Sequence, residues 1–167
     1  IIALSQVYSP GFPDTPDSAF GGSAAGYPEG TLMSVAKSGV DGSQYVTNPA
    51  RLKQPLRGVT YVDLPSGGIW NSAYLADGSR GILVVHNAAR NASIRDIYGD
   101  FAGIIIADDI DRFHATFWGA IIGLTATPSG NVVGNTGCTI RFSRQAILNA
   151  TSMLSNGAQP HIAGWYE

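Results

Sequence analysis

The chain has 167 residues, of which 44% are hydrophobic and only 13% charged, with a net charge of -2. That length suits one domain with its own core, and a neutral surface with ten scattered Lys and Arg carries no field for nucleic acid. No run reaches the roughly 18 apolar residues of a membrane span, and the one cysteine, Cys138, cannot form an intrachain disulfide. The chain opens on Ile1, as expected of a mature form or of a piece whose anchor lies upstream.

Residues 1–54 are read as an extended Pro/Gly-rich segment. "SPGFPDTPDSAFGGSAAGYPEG" has no hydrophobic period, and its isolated Phe12, Phe20 and Tyr27 are expected to pin it along the core. Residues 55–167 form the second unit. Five runs there begin with glycine: "GVTYVD" at Gly58, "GILVVH" at Gly81, "GIIIAD" at Gly103, "GAIIGL" at Gly119 and "GCTIRF" at Gly137, spaced 16 to 23 residues apart. Aligned on glycine, one apolar column holds Val59, Ile82, Ile104, Ala120 and Cys138, and a second holds Tyr61, Val84, Ile106, Ile122 and Ile140. Alternation and β-branching predict strands with these columns facing inward. The spacing is near the coil length of a solenoid. The predicted fold is all-β: a parallel β-solenoid, or β-helix, of about five coils, with a doubly wound sheet as the alternative. The intervening Thr60, Leu83, Ile105, Ile121 and Thr139 would face outward beneath the N-terminal segment. Ser143 is a suitable N-cap for "RQAILNATSML" and Gly157 a stop, so a C-terminal capping helix is expected to cover the last coil.

"PLRGVTYVDLPSG", "GILVVHN" and "GDFAGIIIADDIDRFHATFWGAIIGL", with the later "GNTGCTIRFSRQAI", resemble the C-terminal Gly-rich β-solenoid region of bacterial type IV pilus-assembly proteins, whose N-terminus is a pilin-like helix. The resemblance covers about Pro55 to Leu154. It implies an extracellular or periplasm-facing location, a membrane contact only through an N-terminal anchor not among these residues, and pilus or surface proteins as partners. It brings no catalytic signature.

In the fifth position after glycine stand Asp63, His86 and Asp108. Parallel strands about 4.8 Å apart would set them in one row, an acid-imidazole-acid arrangement able to ligate a metal or move a proton. The structural alternative has them bonding turn backbone at strand ends. Asp109, Asp111 and His114 read as a polar turn neutralised by Arg112, Cys138 as a small core residue, and His161, Trp165 and Tyr166 as tail residues. "PSGNVVGNTG" lacks the Lys-Ser/Thr of a phosphate loop. The expected function is a non-enzymatic structural or interaction domain without cofactor. The alternative is a carbohydrate-active enzyme or glycan-binding module, which should gather Lys, Arg and Asp on one strand face; no such cluster can be defined from the sequence.

Overall fold

In the computed structural model, residues 13–125 and 138–157 are described. The β-branched runs form strands as their composition demands: β1 (Gln44–Val46), β2 (Val59–Asp63), β3 (Ile69–Asn71), β4 (Tyr74–Leu75), β5 (Arg80–His86), β6 (Ser93–Ala107), β7 (Asp109–Phe113), β8 (Thr116–Gly123) and β9 (Thr139–Arg141). They join in a nine-stranded sheet of order β1-β2-β5-β6-β8-β9, with β3, β4 and β7 each pairing β6 off this path. Its ladders run parallel. Two α-helices, α1 (Thr31–Ser38) and α2 (Arg144–Gly157), accompany the sheet.

This corrects the predicted fold. The strands do not close into an all-β solenoid of about five coils; the chain is an α/β fold, one mostly parallel sheet carrying two helices. A regular glycine spacing reports how strands align on one another, but not whether the sheet closes on itself.

The alignment on glycine gives the register of the first four runs. Val59 lies opposite Ile82, Ile82 opposite Ile104 and Ile104 opposite Ala120, and Tyr61, Val84, Ile106 and Ile122 follow in the same way. Gly103 shows why glycine heads these strands: its φ is +145°, and a methyl group there would collide with the Gly81 carbonyl oxygen. The fifth run departs. β9 pairs with the start of β8, Ile140 lying opposite Phe117 rather than beside Ile122, so neither Ile140 nor Cys138 joins its predicted column.

The faces are also reversed. Leu83 and Ile105, expected outside, are fully buried in the larger core with Val62, Ile94, Ile97, Phe101, Phe113 and Phe117. The "inward" columns face the helices: Val59, Tyr61, Ile82, Val84, Ile104 and Ile106 pack with Leu32 and Ala36 of α1 and with Ala150 and Leu154 of α2. Both layers follow from strands that are apolar on both sides, which only a covered parallel sheet tolerates. α2 begins as predicted, Ser143 Oγ accepting from the Ala146 amide at 3.2 Å. It lies on the sheet face over β5, β6 and β8 rather than over a terminal coil.

The N-terminal residues 13–54 hold 3₁₀ turns at Ser18–Phe20 and Gly22–Ala25 as well as α1 and β1. Phe20 and Tyr27 pack against each other, 5.4 Å between ring centres, and onto the helix-side core. Phe12 lies outside the described residues.

Candidate functional site

Asp63 closes β2, His86 closes β5 and Asp108 follows β6 directly, so the parallel register brings all three to the same end of the sheet, with Asp63 opposite His86. Hydrogen bonding divides the row into two pairs. His86 Nδ1 donates to Asp108 Oδ1 at 2.5 Å, in a setting where His86 is 7% and Asp108 1% exposed. Asp108 Oδ2 accepts two backbone amides, from Asn87 at 3.2 Å and from Ala92 at 3.0 Å. Asp63 Oδ2 instead accepts from the Tyr45 hydroxyl at 2.7 Å, on β1.

Two asparagines that the sequence reading passed over complete the first pair. Asn87 Nδ2 donates to the Pro65 carbonyl at 3.0 Å and to Asn91 Oδ1 at 2.9 Å, while the Asn91 amide donates to Asn87 Oδ1 at 3.1 Å. Asn91 Oδ1 also accepts from the Gly67 amide at 2.8 Å. The turn after β5 is thereby wound around the Asp108 carboxylate and tied to the turn after β2. The signal was present in "HNAARNAS", since Asn beside small residues favours turns that bond their own backbone.

Electrostatics at this end of the sheet are set by carboxylates close to phenols. The hydrogen bond that Tyr45 gives to Asp63, then burial, then the Asp63 charge push its hydroxyl up to about 12. Burial first, then the charges of Asp63, Asp17 and Asp108, hold Tyr61 well above the usual phenol range. The Tyr61 ring meets His86 edge-on, 6.5 Å between centres.

Asp109–Phe113 is the strand β7 rather than the expected polar turn; the Asp109 amide donates to the Ala92 carbonyl beside the Asp108 clamp, whereas Asp111 and His114 have other partners. Asp111 Oδ2 lies 2.8 Å from Arg95 Nε, and Asp96 Oδ1 lies 3.1 Å from Arg112 Nε and 3.4 Å from His114 Nε2. Arg112 pairs most closely with Asp96 on β6 and also lies 3.8 Å from Asp111 Oδ2, as the sequence suggested. His114 stacks on Tyr98, with ring centres 5.0 Å apart. Among the described residues, no three His, Cys, Asp or Glu side chains are grouped to hold a metal ion. Cys138 is half-buried against the larger core. His161, Trp165, Tyr166 and the "PSGNVVGNTG" loop lie outside the described residues.

No protein-family model, curated protein or solved structure matches this chain.

Proposed function

We propose that the chain is a non-enzymatic structural and interaction domain of a surface or pilus-associated protein, working in pilus assembly or adhesion outside the cytoplasmic membrane. One observation carries the non-enzymatic part: the acid-imidazole pair is spent on the fold. Asp108 accepts from His86 and from two backbone amides, and both side chains are buried. A carboxylate bonded in this way fixes the end of β5 and the turn that follows it. The surface or pilus assignment rests on the resemblance of "GILVVHN" and "GIIIADD". These stretches supply His86, Asn87 and Asp108, the residues that hold the turn after β5 in this chain.

The test has two arms. Deleting the coding region for this chain in the organism that carries it should reduce surface fibres or adherent cells; unchanged fibres and adhesion would overturn the surface role. The purified chain should release no product from neutral or acidic polysaccharides. Turnover abolished by His86→Gln, in a variant that keeps its melting temperature, would overturn the non-enzymatic reading.

A further inference from the structure

The sequence offered no strand face on which basic residues gather, but the structure supplies one. Arg80 lies opposite Ala102, Ala102 opposite Trp118, and Trp118 opposite Arg141, across β5, β6, β8 and β9. At about 4.8 Å per strand this row runs roughly 14 Å. It crosses β5 at its first residue and β9 at its last, on the side of these ladders away from His86 and Asp108. Arg144 opens α2 close by.

Ala102 is the small member of the row, and a cleft of about 250 Å³ lies over it. Arg80 borders this cleft on the sheet side, and Ser143, Gln145 and Asn149 border it on the α2 side. Gln145 Nε2 donates to Asn149 Oδ1 at 2.8 Å, which leaves Gln145 Oε1 and the Asn149 amide hydrogens for another molecule. Trp118, 37% exposed, follows Ala102 in the row. Arg80, Arg141 and Arg144 are exposed, and none takes part in an ion pair among the described residues. Arg80 lines the cleft itself, while Arg141 stands at the far end of the row and Arg144 at the start of α2, so the positive charge is spread along the row rather than gathered in the cleft.

We propose that this row and cleft bind an acidic saccharide, a pyranose chain bearing carboxylates. Guanidinium groups present paired donors that match a planar carboxylate. An indole offers a flat apolar surface to a sugar ring, and side-chain amides and a hydroxyl both give and accept bonds with sugar hydroxyls. A row of basic, small, aromatic and basic side chains fits alternating charge and ring along one extended chain. Nucleic acid fits less well, since it requires a longer track of phosphate contacts than three arginines in a chain of net charge -2 provide. The inference is independent of any pilus role, because it concerns binding by the isolated chain.

Isothermal titration of the purified chain with galacturonate oligomers tests it, with neutral galactose oligomers, dextran sulfate and single-stranded DNA as comparisons. Galacturonate oligomers should bind at least tenfold more tightly than neutral ones. Arg80→Gln and Arg141→Gln should each weaken binding about tenfold with melting temperatures unchanged, because both side chains are exposed. Trp118→Ala should weaken it severalfold, and since Trp118 is 37% exposed this variant is compared at a temperature where it is fully folded. Arg80→Lys should recover part of the loss. Absence of galacturonate binding would overturn the proposal. So would dextran sulfate or DNA binding as tightly with no effect of Trp118→Ala, which would mark a patch that reads charge alone.

Discussion

A carboxylate with 1% exposure that accepts three hydrogen bonds leaves little freedom for substitution. In Asp108→Asn, one acceptor oxygen becomes an amide donor that faces either His86 or the amides of Asn87 and Ala92. Urea unfolding should show a loss of about 3 kcal/mol; an unchanged midpoint would mean that Asp108 does not hold the turn. With both oxygens engaged, added Zn²⁺ or Ca²⁺ should leave the melting temperature where it is. A rise of several degrees that Asp108→Asn abolishes would make the row a metal site. Tyr45 gives a pH dependence of definite sign. Its folded value, about 12, stands above its ordinary 10.0, so above pH 10 the unfolded chain loses a proton that the folded chain keeps. Stability should be full below about pH 10 and fall as pH rises towards 12, and Tyr45→Phe should flatten that fall. A slope identical in both proteins would detach it from Tyr45. The row Asp63, His86, Asp108 could be read from the glycine alignment. Its division into two pairs could not, because the Asp63 partner sits 18 residues upstream on another strand.

The strands show where periodicity stops being informative. "GIIIA" and "GILVV" are apolar at every position, so alternation defines two faces without saying which one meets the larger core. The register was therefore recoverable while the sides were reversed. α1 was missed for a different reason: its N-cap, Gly30, has no side chain, and the capping carboxylate comes from Asp17, whose oxygens accept from the Gly30 amide at 2.8 Å and the Leu32 amide at 2.9 Å. A cap from that far upstream leaves no local pattern. At Gly103, strain and the collision with Gly81 should make Gly103→Ala cost more than about 2 kcal/mol. Gly123, at the end of β8, faces open space, and Gly123→Ala should change stability by less than about 0.5 kcal/mol. Equal effects in chemical denaturation would remove close backbone approach as the reason for the glycine column.

For the molecule as a whole, two apolar layers on opposite faces of one sheet make α2 a structural necessity. Truncation before Ser143 would uncover Ile82, Ile104 and Ile106 where Ala150 and Leu154 now lie. Such a patch drives association. The truncated chain should elute as oligomers or aggregates in size-exclusion chromatography and bind a hydrophobic dye; a monomer with native stability would show that α2 is dispensable. Overall architecture was the least readable level. Parallel strands headed by glycine at spacings of 16 to 23 residues suit a closed coil and an open sheet alike, and what separates them is the set of partners each strand finds far along the chain.

β6 finds five of them. Its first residues pair β3 and β7, its middle pairs β4 and its last half pairs β5 and β8, with changes of direction at Asp96 and Gly99, whose φ angles are 50° and 90°. No neighbouring strand can detach β6 without also breaking its own main ladder, so the sheet has no seam along which part of it could open. Folding then becomes a search limited by one event, the docking of a 15-residue segment whose contacts reach both back and forward along the chain. Amide hydrogens of β5, β6 and β8 should exchange together, at the rate set by global unfolding, whereas those of α1 should exchange earlier. Separate exchange of β5 and β8 would mean that the sheet comes apart by pieces and that β6 is only one strand among nine.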